Sequence, residues 1–203
     1  MSPVSARPST RDRLLQAAME VFASKGYHGA VVDDIVAASG TSKGAFYHYF
    51  TSKQDVFLTL MHDLADLVER AVEEAIGAER GALAKVDAAL RVVLETAAAH
   101  RSLARILLVE AVGVGPEVER ARLEIHRRFA SLIQRHLDRA VAEGSIPPQD
   151  TALAARAWVG ACNEVIAQWL LEDGDPLIAR LPALRALLLR SIGAPHPDAP
   201  SRP

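Results

Sequence analysis

Phe57, Leu60, Met61, Leu64, Leu67, Val68 and Ala71 fall three and four positions apart, the spacing of one face of an α-helix. Leu90, Val93, Leu94 and Ala97 repeat that spacing, as do Phe129, Leu132, Ile133 and Leu137. Gly77 and Gly81, the stretch from Gly113 to Pro116, Gly144 with Pro147 and Pro148, and Gly174 with Pro176 stand between or after these runs. Glycine and proline stop helices, one by freeing the backbone and the other by removing a donor. No segment reads as a convincing alternation of apolar and polar residues, as a half-buried strand would. Helix must therefore bury against helix. The expected fold class is all-α, with about nine helices.

Half of the 203 residues are apolar and aromatics are few, which suits close helix packing around a sizeable core. The formal net charge is −2. The first 55 residues carry six cationic and five acidic side chains, leaving +1. Nucleic-acid binding would thus come from a local cluster rather than a broad basic field. The single Cys162 excludes an internal disulfide and fits a reducing compartment. No apolar run reaches membrane-spanning length, and no apolar signal core stands at the N-terminus. The expectation is a soluble, cytoplasmic protein that needs no membrane and no cofactor.

Ser9 to Asp12 carries a capping-box signature for a first helix, which Gly26 should end. A second helix is expected from about Val32 to Ser39, followed by a turn at Gly40. The third is short, from about Ser42 to Tyr49. Thr51 and Ser52, with Gln54 and Asp55, make overlapping capping boxes for a long fourth helix. Further helices are expected over Leu83 to His100, Leu103 to Val112, Glu117 to Glu143, Asp150 to Leu171 and Leu177 to Ile192.

Helices one to three read as a helix-turn-helix head. Phe46 and Phe50, four apart, should anchor the third helix inward. Lys43, Gly44, Ala45, Tyr47 and His48 then lie on or near its outward side. Gly44 and Ala45 allow close approach to bases, and Ala45 can meet a thymine methyl. Lys43 can reach a guanine edge or a phosphate. Tyr47, His48 and Tyr49 can donate to phosphates, and Lys53 sits where helix-start amides and a cation can hold one. Thr41 and Ser42, at the turn, complete the candidate DNA-contacting set. Taken alone, this segment also reads as a small-residue connector between two packed helices.

Residues 10–60 resemble the DNA-binding head of the TetR family of bacterial transcriptional regulators. The carriers are Ala17-Ala18, Phe22, Lys25-Gly26-Tyr27, Asp34-Ile35, Gly40, the run from Ser42 to Phe50, and Ser52-Lys53. The resemblance implies that the third helix enters the major groove. Lys43, Gly44, Ala45 and Tyr47 would then face bases, while Tyr47, His48, Tyr49 and Lys53 hold phosphates. It also implies a helical ligand-binding body, a homodimer and, by family default, repression. Two positions depart from the pattern. Ala30-Val31 stands where a capping threonine or serine is usual, so Asp33 or Asp34 must serve the start of helix two. Thr41 replaces an apolar residue and becomes available to cap helix three.

The expected organisation is a DNA-binding domain over residues 1–53, a ligand-binding and dimerisation domain over 54–192, and a disordered tail over 193–203. Candidate dimer-interface residues are Trp158, Cys162, Val165 and Trp169 on helix eight, with Leu181, Leu184 and Leu188 on helix nine. Ala157, Gly160 and Ala161 permit close helix approach there. Two heads related by a twofold axis would read a near-palindromic operator in double-stranded DNA. Candidate lining for a small-molecule effector comprises Met61, Leu64, Leu94, Leu107, Phe129, Ile133 and Trp158. Arg101 and Arg105 are candidates for an anionic group, and an acyl-type ligand follows as one reading. Each of these side chains can equally serve packing or solvation.

An enzyme is the first rival. The seven histidines are scattered, and no two sit at a metal-ligand spacing beside a carboxylate pair. No glycine-rich phosphate cradle follows a strand. No catalytic residue and no metal site are therefore assigned. The second rival is a DNA-binding protein that needs a partner, or nothing, in place of a ligand.

Overall fold

The computed structural model describes residues 8–172 and 174–194, apart from the side chains of Ala82 and Leu83. Among the described residues the secondary structure is entirely helical. Helices α1 (Thr10–Gly29), α2 (Val32–Ser39) and α3 (Lys43–Tyr49) come first. They are followed by α4 (Lys53–Ala78), α5 (Ala82–Ala99) and α6 (Arg101–Arg105). The last three are α7 (Pro116–Ala142), α8 (Thr151–Leu171) and α9 (Leu181–Ser191). The expected tail from 195 onward lies outside the described residues, as does the inward placement of Leu83.

The chain divides into two compact units. One holds residues 8–64 with Ser102–Arg122, the other Ala65–Arg101 with residues 123–194. Helix α4 contributes its first turns to one unit and the rest to the other.

In the first unit α1 starts on a reciprocal cap. Ser9 Oγ accepts from the Asp12 amide, and Asp12 accepts from the Ser9 amide, each at 3.1 Å. The helix breaks at Gly26, whose φ of 68° suits glycine, but Tyr27 to Gly29 add one more turn rather than ending it outright. The core is aromatic. The Phe57 ring lies 5.3 Å from Phe22 and 4.8 Å from Tyr27, both edge-on, a favoured arrangement for quadrupolar rings. Leu14, Phe22, Ile35, Phe46, Val56 and Phe57 are fully buried.

The sixth helix departs from expectation. After Arg105 it widens into a π-helical turn over Ile106–Glu110, closed by the Ala111 amide donating to Ile106 O at 2.9 Å. A uniform 3.6-residue spacing does not signal that extra residue.

In the second unit α8 is capped by Asp150, which accepts from the Leu153 amide at 2.9 Å. The sequence predicts one uninterrupted last helix from Leu177 to Ile192. Instead Leu177–Arg180 form a 3₁₀ turn and α9 starts at Leu181. Pro182 has no N–H to give Ile178 O, so a continuous α-helix through this point would lack a bond. Arg128 on α7 ties this helix to α4 through Asp66 at 2.7 Å and through Glu69.

Candidate nucleic-acid interface and effector body

Helix α3 is positioned from both ends and from below. Ser42 is its N-cap, accepting from the Ala45 amide at 3.0 Å. Thr41 does not cap it, contrary to expectation. Its hydroxyl lies 2.8 Å from Ser39 Oγ and its amide donates to Val36 O, so Thr41 closes the turn after α2. Gly40 makes that turn at φ 61°, and Arg13 donates to Gly40 O at 3.0 Å. Phe46 and Phe50 are buried beneath α3 with rings 5.9 Å apart.

Those anchors leave Ser42, Lys43, Gly44, Tyr47, His48 and Tyr49 exposed, with Ala45 half-buried. Tyr47 is 52% exposed although it is large and aromatic. A Cβ built on Gly44 would meet only Ser42 Oγ, at an ordinary 3.8 Å. The fold itself therefore does not require glycine there, and glycine costs helix stability.

Electrostatics modify the expected set. Lys43 Nζ pairs with Asp33 at 2.8 Å, and that hydrogen bond raises its pKa. Asp34 takes over the start of α2, where threonine is absent. It accepts from the Val31 amide at 3.1 Å and from Lys25 at 2.7 Å. Lys53 points inward rather than outward. Its ammonium donates to Tyr27 O at 2.7 Å and to Ala30 O at 2.8 Å, and lies 4.3 Å from the Tyr27 ring centre. Sequence reading missed Arg13 and Arg11. Arg11 sits 5.7 Å over the Phe50 ring, and separations of 27 and 39 residues left no local signal for either.

Two family models match this chain. "Bacterial regulatory proteins, tetR family" matches residues 14–60, and "Tetracyclin repressor-like, C-terminal domain" matches 79–181. The chain belongs to the TetR family. The transcriptional regulator AcuR of Cereibacter sphaeroides is 30% identical over 173 residues, 81% of this chain and 78% of that protein. The fatty acid metabolism regulator protein of Bacillus subtilis is 26% identical over 163 residues, 79% of this chain and 84% of that one. Among solved structures, the fatty acid degradation regulator FadR of Bacillus halodurans has a TM-score of 0.80 at 25% identity, covering 88% of this chain and 97% of that one. FadR of Bacillus subtilis in complex with stearoyl-CoA has a TM-score of 0.80 at 24% identity, covering 91% and 98%. This TetR-family chain is a DNA-binding transcriptional regulator, and its relatives form a non-enzymatic class.

Trp158, Leu181, Leu184 and Leu188, expected at a dimer interface, are buried within the single chain, which leaves little of their apolar surface open. Trp158 also donates to Ser191 Oγ at 3.1 Å. Cys162, Val165 and Trp169 are half-buried, and burial pushes the Cys162 thiol up to about 12, which leaves it inert. The exposed line of α8 is instead Leu153, Ala157, Gly160, Glu164, Gln168 and Leu171. Leu153 and Leu171 are each 59% exposed, and Leu187 on α9 is 53% exposed.

The expected effector lining also divides. Met61, Leu64 and Leu107 are buried in the first unit, and Leu94 and Trp158 in the second, where Phe129 and Ile133 are half-buried. Arg101 and Arg105 are not an open pair awaiting an anion. Arg101 packs 4.2 Å over the Trp169 ring and donates to Leu170 O at 3.2 Å, which serves the C-terminal carbonyls of α8. Arg105 donates to Glu110 at 3.3 Å. A part-buried polar pair went unseen in the sequence: His126 Nε2 lies 3.0 Å from Asn163 Nδ2, across 37 positions. Among the described residues no group of three or more histidine, cysteine or acidic side chains is placed to hold a metal ion. No helix among them is long and apolar enough to cross a membrane.

Proposed function

We propose that this regulator acts as a homodimeric repressor whose hold on a near-palindromic operator is released by an acyl-type ligand, an acyl thioester in the first instance. The observation that carries the DNA side is α3. It is a capped helix pinned by two buried phenylalanines, and it offers Lys43, Gly44, Ala45, Tyr47, His48 and Tyr49 away from the core. Lys43 and the small pair Gly44-Ala45 take base edges, and Ser42, Tyr47, His48 and Tyr49 take phosphates. Thr41 supports the turn from behind.

Dimerisation is proposed through the exposed lines of α8 and α9. Leu153 and Leu171 are five helical turns apart on one stripe. Ala157 and Gly160 between them let a second helix approach closely, and Leu187 adds apolar area from α9. A four-helix contact of this kind pairs two heads, and paired heads read half-sites about one DNA turn apart.

The ligand class rests on two supports. The Bacillus subtilis relative bears the name of a fatty acid metabolism regulator at 26% identity, and the effector-side unit is rich in leucine and alanine. Half-buried Phe129 and Ile133, with buried Leu94 and Trp158, are the proposed apolar lining, and the His126–Asn163 pair is the proposed polar anchor. Release is a population shift. The ligand prefers a body arrangement incompatible with operator binding, with coupling of about 1–3 kcal/mol, or roughly five- to 150-fold in affinity. Native mass spectrometry across acyl-CoA chain lengths tests the ligand class. Binding of one ligand per chain that strengthens with acyl length supports it, and equal, weak adducts with acyl-CoA and free CoA count against it.

A further inference from the structure

We infer that Lys53 is a positioning residue, not a phosphate ligand, and that it locks the C-terminal end of the reading helix to the corner between α1 and α2. This rests on the DNA-binding reading of α3.

The geometry is specific. Lys53 follows Tyr49, the last residue of α3, by four positions. Its ammonium has three N–H bonds, and two of them go to Tyr27 O and Ala30 O. These carbonyls flank the last turn of α1, where a helix end presents negative charge. The ammonium also lies over the Tyr27 ring, which is itself held edge-on against Phe57. Phe57 is one turn after Lys53 on the same face of α4. Burial lowers the Lys53 pKa, as expected for a cation drawn off the surface.

The consequence concerns α3. The Gly40 turn that leads into its front end is tied to α1 by Arg13 donating to Gly40 O. Its rear end is fixed to the same helix by Lys53 donating across the Tyr27–Ala30 corner. Val31, which opens α2, follows that corner directly. One cation at each end therefore holds the reading helix against a common support. Loss of Lys53 loosens the rear end, which buried Phe50 then holds alone from below, while Ser42, Phe46 and the front clamp stay in place. The exposed side chains then keep their charges but lose their register on the bases.

Two measurements test this, both on DNA selected by the wild-type protein from a random pool. In the first, pulse acetylation with mass spectrometry reads lysine reactivity on the unmodified full chain, with and without that DNA. DNA should leave the acetylation rate of Lys53 as it is in the free protein, because its ammonium already serves two carbonyls. Lys43 should be reactive when free and protected by DNA. A Lys53 whose acetylation DNA slows as it slows that of Lys43 overturns the inference. A Lys43 that DNA never protects, with Lys53 likewise unchanged by DNA, counts against the reading-helix assignment while leaving the clamp intact.

The second measurement uses Lys53→Met. The melting temperature should fall by about 3–12 °C. Well below that temperature, affinity for the selected site should drop about tenfold or more. Binding to random DNA and the slope of log affinity against log salt should stay as in the wild type. A slope shallower by about 0.9 per protomer, with equal loss on random DNA, would mark a neutralised phosphate. Unchanged affinity in the folded variant would leave Lys53 a stability residue only. Either result overturns the inference.

Discussion

The Lys43 ammonium lies 2.8 Å from the Asp33 carboxylate, so the foremost cation of the reading helix carries its own counter-charge. Both side chains are well exposed, and such pairs are weak in water. The carboxylate matters more for what approaches than for the fold. Near DNA it repels phosphate and competes for the lysine.

Asp33→Asn should therefore bind DNA more tightly. The expected gain is about three- to tenfold at moderate salt, with a steeper dependence of affinity on salt concentration. Much of the gain should appear on non-specific DNA, so the specificity ratio falls. Fluorescence anisotropy on specific and random duplexes reads both. Weaker binding to every duplex would mean that Asp33 holds Lys43 in its working position.

Gly44→Ala separates fold from interface. The new methyl meets only Ser42 Oγ at 3.8 Å, so the helix accepts it. Stability should rise by up to about 1 kcal/mol through helix propensity. Affinity for the selected site should fall about tenfold, because the methyl stands where a base edge must come close. Thermal melts and anisotropy titrations check the two halves. Unchanged DNA affinity would remove Gly44 from the interface.

Leu153→Glu with Leu187→Glu tests the dimer. Both side chains are more than half exposed, so the fold should persist while sedimentation velocity shows a monomer. Leu184→Glu places a charge in the core instead and should unfold the chain. A double variant that sediments as the wild-type dimer would rule out the exposed α8–α9 face as the contact.

Asp34 gives an acid-side signature. Its hydrogen bond from Lys25, then that from the Val31 amide, hold its carboxyl below the usual range. A folded-state pKa below the unfolded value of about 3.9 stabilises at pH above that value. The contribution disappears as pH falls through the folded pKa. Asp34→Asn should thus lower the melting temperature at neutral pH, and the gap to wild type should close in strong acid. A gap independent of pH between 7 and 2.5 would contradict this.

Much of the fold was legible because helix signals are local. The capping box at Ser9 and Asp12, the glycine turn at Gly40 and the apolar spacing of α4 all act within a few residues. What was illegible depends on distant partners or backbone detail. Lys53 reads as an exposed helix-start cation until the Tyr27 and Ala30 carbonyls, 26 and 23 positions away, are brought beneath it. Leu181, Leu184 and Leu188 form a proper helix stripe. Periodicity alone does not say whether such a stripe covers its own chain or another. The same limit applies to Arg101, whose partner is the end of a helix 68 positions on.

Operator binding with and without ligand decides whether this regulator is released by an acyl thioester. Footprinting of the purified protein on DNA from its own promoter region and on selected duplexes would be run with an acyl-CoA series. Protection of a near-palindrome is expected, lost at saturating long-chain acyl-CoA and kept with free CoA. Protection that no acyl thioester relieves would contradict ligand control of this class. An absence of sequence-specific protection on any duplex would contradict α3 as a reading helix.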